Sequence, residues 1–199
     1  MRTDSTILKE LSQLTNPDYK LFAEYCHYLD KGLRKDALKN LDNFLNAAKY
    51  WDTLKKIEFC QAIFSLSKPD NDFDIILKES LRKNLIEETL LEMTKLNPND
   101  FSAFKWYGQF FRSLEFLKKA FELNPTNLST AQILVTSLEY DLWFSTHHLP
   151  EGYLGIVEDD LENIKLGLSI CINYKAGLKY DYTTNFNRYK TKIELYLKS

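Results

Sequence analysis

A chain of 199 residues, 44% apolar and 14% aromatic with only six glycines and five prolines, can bury a continuous core in long regular elements, which excludes a loop-rich sandwich or a disordered tail. Its 26 Lys and Arg nearly cancel its 28 Asp and Glu, for a formal charge of −2, and no dense basic run occurs. Nucleic acid is therefore not an expected target, since phosphate neutralisation needs a basic face.

Apolar residues recur at helical spacing through nearly the whole chain, and sustained alternation of period two is absent. The expected fold is all-α, built from antiparallel helix pairs in a single domain over residues 1–199. A first helix begins after Asp4 or Ser5 and carries Ile7, Leu8, Leu11 and Leu14 on one face. Asn16 as N-cap, with Pro17 at the first helical position, opens a second helix bearing Leu21, Phe22, Tyr25, Tyr28 and Leu29. It stops at Gly32, the left-handed C-terminal position. A third helix covers about 35–50 with Leu38, Leu41, Phe44, Leu45 and Ala48 inward, and a fourth covers about 53–65 with Leu54, Ile57, Phe59, Ile63 and Phe64.

Lys68-Pro69-Asp70-Asn71-Asp72 is the clearest internal break. Helical patterning resumes at Phe73 and, bent near Arg82-Lys83-Asn84, runs to Leu96 before Asn97-Pro98-Asn99-Asp100, where Asp100 caps the next helix. Ala103, Tyr107, Phe110, Leu114, Leu117 and Phe121 then step by four and three without a phase break, which predicts one long helix through Gly108. Asn124-Pro125-Thr126-Asn127 ends it. Leu128 to about Thr146 forms a helix with Ile133, Leu134, Leu138, Leu142 and Trp143 on its buried side. A turn-rich loop from His147 to Gly155 follows, then a helix from Glu158 to about Tyr174 and a last one over about 185–197.

The start of the chain lacks the apolar core of a signal peptide and no run of about eighteen apolar residues occurs, so neither secretion nor a membrane contact is expected, and the cytoplasm is the expected location. Cys26, Cys60 and Cys171 are odd in number, far apart and set among apolar neighbours, as buried thiols are.

Two helices end alike, in Lys95-Leu96-Asn97-Pro98-Asn99-Asp100 and Glu122-Leu123-Asn124-Pro125-Thr126-Asn127. Together with Ala120 and Phe121, and with Tyr28, Gly32, Ala37 and Leu41 at the spacings of helix-pair contacts, this pattern resembles the tetratricopeptide repeat family. The resemblance implies a short, irregular α-solenoid over about 17–146, with 147–199 as a helical cap. It departs from the family in period: Asn97 and Asn124 are 27 residues apart, where the repeat has about 34.

The adjacent His147 and His148, followed by Glu151, are the one constellation that resembles a metal or acid–base site. Neighbouring loop side chains diverge, and His27 is distant in sequence, so the segment reads as a structured loop with Pro150 and Gly152 setting its turn and Tyr153 and Leu154 packing it down. No catalytic residue, metal ligand or cofactor is assigned. Two acidic clusters, Asp70 to Asp74 and Glu158, Asp159, Asp160 and Glu162, are suited to helix N-termini, where the macrodipole favours negative charge. The first lacks the glycine and terminal glutamate of a calcium loop. Phe101, Phe104, Trp106, Tyr107, Phe110 and Phe111 span more than one helix face, so part of the stripe serves a second surface.

The expected function is a non-enzymatic scaffold that grips one protein partner, with Glu158, Asp159, Asp160, Glu162, Trp106, Phe110, His147, His148 and Tyr153 as the candidate contact residues. A sharper form is a bacterial immunity protein that neutralises a cationic toxin domain. The alternatives are an enzyme using His147 and His148, and a regulator that takes a peptide or small effector in an apolar cleft.

Overall fold

The computed structural model describes residues 6–66 and 76–198, and all the regular structure among them is helical. The break at Lys68, the acids from Asp70 to Asp74, the restart at Phe73 and the start of the chain lie outside the described residues. Contacts divide the chain into two compact units, residues 1–98 and 99–199.

In the first unit α1 (Thr6–Ser12) packs on α2 (Lys20–Asp30), and α2 packs on α3 (Arg34–Ala48). The Asn16 side chain accepts a hydrogen bond from the Asp18 N–H at 3.0 Å, and Pro17 opens a 3-10 turn that leads into α2, as its sequence predicts. Gly32 has φ +73° and lets the chain turn into α3. Next come α4 (Thr53–Ser65), the single turn α5 (Glu79–Leu81), a π-helical segment (Arg82–Ile86) and α6 (Glu87–Leu96), on which α4 packs. The irregularity expected near Arg82 is this π segment, whose wider turn rotates Leu85 and Ile86 onto the same buried side as Leu81 and Leu90.

Aromatic rings fill this core. Phe59 meets Phe22 edge-on at 5.0 Å and Phe44 at 5.0 Å, and Trp51 closes over Phe44 at 5.4 Å. The buried Tyr25 hydroxyl donates to the Ile76 carbonyl at 2.8 Å. Leu38 and Leu54, expected inward, are exposed.

The second unit contains α7 (Phe101–Phe111), α8 (Leu114–Leu123), α9 (Leu128–Thr146), α10 (Val157–Asn173) and α11 (Thr183–Tyr196). The long helix expected through Gly108 is instead the hairpin α7–α8. Arg112 takes the left-handed conformation (φ 54°, ψ 42°), and the Ser113 N–H reaches back to the Gly108 carbonyl at 3.0 Å. No glycine or proline marks this turn, and the apolar rhythm runs on across it because the two helices face one another. Asp100 and Asn127 cap α7 and α9, accepting from the Ser102 N–H at 3.0 Å and the Thr130 N–H at 2.9 Å.

From α7 to α11 each helix packs on the next, and α11 also packs back on α9. Leu134, Leu138 and Leu142 of α9 form a core with Ile164 and Ile170 of α10 and with Phe186, Tyr189 and Ile193 of α11. Glu139 secures α11 by accepting from the Tyr189 hydroxyl at 2.7 Å and the Asn185 amide at 3.1 Å. Trp143, expected on the buried side of α9, is exposed: it lies about 100° around the helix from the fully buried Leu142.

Candidate protein-binding face

The outer side of α9 carries Tyr140, Trp143, Phe144 and His147, spaced so that they share one helical face. Tyr140, Trp143 and Phe144 are 54%, 45% and 50% exposed, too open for core residues and too close together for scattered ones. Their rings form a ladder. Tyr140 lies 5.8 Å from Trp143, His147 stacks on Trp143 at 4.8 Å and 16°, and His148 follows at 4.0 Å. His147 Nδ1 sits 2.6 Å from the Phe144 carbonyl oxygen, so its N–H closes the end of α9.

Beside the ladder is a cleft of about 460 Å³. Leu114 and Lys118 of α8 form one wall, and Asp141, Phe144 and Ser145 of α9 another. Ile156 and the start of α10, with Asp159, Asp160, Glu162 and Asn163, complete it. A second depression of about 430 Å³ shares Leu114 and Asp141 with the first and adds Tyr140 and Arg112, so the ladder and the clefts form one continuous face.

The electrostatics of this face are uneven. Burial raises the Asp141 carboxyl above its ordinary range, the Asp160 carboxylate adds to the rise, and Lys118 acts against it. Asp160 is buried and accepts a hydrogen bond from the Tyr153 hydroxyl. That hydroxyl is itself pushed well above its ordinary value, first by burial and then by its bond to Asp160. Tyr153 also stacks on Tyr196 at 5.5 Å, and the Leu154 N–H donates to the Ser145 carbonyl at 3.1 Å, which fastens the loop after α9. Asn163 is only 6% exposed, and its inaccessible Oδ1 has no hydrogen-bond partner among the described residues.

Of the residues singled out from sequence, Asp159 and Glu162 line the cleft and Glu158 is exposed next to them in the first turns of α10. His147 and His148 are exposed in the ladder. Two of them are buried. Asp160 points inward because Tyr153 holds it, and Phe110 is buried because it faces inward from α7. Trp106 is half-buried on α7 and does not line the cleft, while Tyr153 is a fastener of the loop.

Sequence reasoning missed Tyr140, Asp141, Phe144 and Asn163. The spacing of Tyr140, Trp143, Phe144 and His147 was a usable signal for a second apolar face on α9, whereas nothing local marks Asp141 or Asn163.

His147 is committed to its helix end and its stack, and His148 to the same stack. Among the described residues no three His, Cys, Asp or Glu are grouped so as to hold a metal ion, and no helix is long and apolar enough to cross a membrane. No protein family, no curated protein and no solved structure matches the chain.

Proposed function

We propose that this chain is a non-enzymatic helical binding protein that holds one cationic protein partner on the outer face of α9 and the cleft beside it. The observation that carries the reading is the exposed ladder of Tyr140, Trp143 and Phe144 bordering a cleft lined by Asp141, Asp159 and Glu162. Large aromatic side chains supply much of the affinity at protein interfaces, and a complementary charge field speeds docking and excludes partners of the wrong sign. The sequential packing of α7 on α8 and α8 on α9, with Asn-Pro turns before α7 and α9, supports a tetratricopeptide-like stack as the scaffold. In its sharpest form the protein is an immunity protein and the partner a basic toxin domain whose working surface this face covers.

The test is affinity capture of the source cell's proteins, including the products of adjacent genes, with the tagged chain and two variants. One carries Trp143→Ala with Phe144→Ala, and the other carries Asp159→Lys with Glu162→Lys. All four side chains are exposed, so melting temperatures should stay within a few degrees of the parent. A single stoichiometric basic partner, lost with both variants, is the expected result. Toxicity of that partner alone, relieved by co-production of this chain, establishes the immunity form. A partner retained by both variants, or no partner at any salt concentration, overturns the reading.

A further inference from the structure

Among the described residues Arg112 is the one non-glycine residue with a positive φ. It sits in the turn between α7 and α8, where the Arg112 and Ser113 N–H groups both reach the Gly108 carbonyl. Glycine fills such a helix end most readily, because it has no Cβ to crowd the left-handed backbone. Arginine is held there against that preference, and its guanidinium gives no contact back to the fold. It is exposed and makes no hydrogen bond, ion pair or ring contact among the described residues.

Arg112 instead lines the depression of about 430 Å³ that adjoins the aromatic ladder. Gln109 of α7 and Ser137 and Tyr140 of α9 line it too, and among the described residues their side-chain polar groups have no hydrogen-bond partner. A guanidinium with an amide and two hydroxyls beside it suits a guest that accepts through more than one oxygen. Asp141 shares the depression without pairing with Arg112, and the cation that acts on its carboxyl is Lys118, from the first cleft. Arg112 is thus uncompensated on a face whose acids, Asp159 and Glu162, favour a cationic partner. A partner bringing positive charge alone would be repelled at this end, and a charge desolvated without a counter-ion is costly.

We propose that Arg112 is a specificity-determining residue of the binding face, taking an aspartate or glutamate of the same partner whose basic side chains meet the cleft. The inference rests on the binding reading and adds that the partner's docking patch is dipolar. It is acidic over Arg112, apolar over Trp143 and Phe144, and basic over Asp159 and Glu162. The planar fork of the guanidinium pairs a carboxylate through two parallel hydrogen bonds, which fixes orientation as well as charge.

The experiment pans random linear peptides displayed on phage against the full chain. Every clone that still binds Trp143→Ala combined with Phe144→Ala is discarded, so that only peptides docked on the ladder remain. On the native chain these should share an Asp or Glu at one position, and on Arg112→Glu that position should become Lys or Arg. Native-selected peptides, synthesised and titrated by calorimetry, should bind Arg112→Gln about tenfold more weakly, the loss expected of one charge-assisted pair. Arg112→Gly separates this role from a structural one: binding should fall equally while the melting temperature equals or exceeds that of the parent. Ladder-dependent peptides with no shared acid, or the same consensus on Arg112→Glu, overturn the inference and leave the binding face standing. A lowered melting temperature in Arg112→Gly also overturns it, since the side chain would then serve the fold. A free chain that sediments as a dimer, broken by the Trp143 and Phe144 changes, makes a second copy the occupant and overturns the partner's acid. The absence of any ladder-dependent peptide overturns the binding face itself, and the inference with it.

Discussion

A methyl group on Gly108 would stand 2.7 Å from Leu117 Cγ and 2.8 Å from the Leu117 backbone nitrogen, so the close crossing of α7 and α8 depends on a side chain that is not there. One of those contacts is with backbone, which cannot move aside as a flexible side-chain tip can.

Gly108→Ala is therefore expected to destabilise the protein by about 1–3 kcal/mol through overpacking, despite the better helix propensity of alanine. Urea unfolding followed by circular dichroism measures it. A neutral or stabilising alanine would show that the two helices do not approach this closely.

Tyr153 and Asp160 are coupled across the loop that follows α9. Tyr153→Phe removes the donor to a buried carboxylate and should cost about 1–3 kcal/mol. The loop should loosen with it, so amide exchange at Leu154, whose N–H donates to Ser145, should quicken more than exchange in the core of α9. Unchanged exchange at Leu154 would mean that the loop is held by other contacts.

Asp141 makes a prediction about pH. Its folded value is raised above the ordinary 3.8 by burial and by Asp160, so the group favours the folded state fully in acid, below 3.8, and that contribution is lost as pH rises through the raised value. At neutral pH the ionised carboxylate opposes folding. Asp141→Asn should accordingly raise the melting temperature at pH 7, with the gain shrinking as pH falls toward 3.8 and vanishing below it. A gain of constant size across that range would point to a packing effect in place of a charge effect.

The thiols should be inert in the native protein. Cys26, Cys60 and Cys171 are buried, burial pushes Cys60 up to about 12, and it drives Cys26 higher still. A coloured thiol reagent at pH 8 should find no rapidly reacting group before denaturation and three after it. One fast-reacting thiol in the folded chain would contradict the packing around it.

Helix ends were readable in the sequence because their causes are local. Asn16 with Pro17, Gly32 and Asp100 act through hydrogen bonds or backbone angles within three residues of themselves, and the structure places each in its expected part. Which helical face is buried was readable only where one side was plainly apolar, as for Leu134, Leu138 and Leu142. The hairpin at Arg112 was hidden, since a left-handed arginine leaves no mark in composition and helices that face each other keep the same apolar rhythm.

The candidate face was legible in fragments, Asp159, Glu162 and His147, but not as a site. Asp141, Phe144 and Asn163 join it only because α8, α9 and α10 pack beside one another, and Asp160 leaves the surface only because Tyr153 reaches it. Hydrogen bonds along one helix are settled by neighbours in sequence. The exposure of a side chain and the ionisation of a carboxyl are settled by whatever other helices bring to it, and that information exists only once the chain has folded.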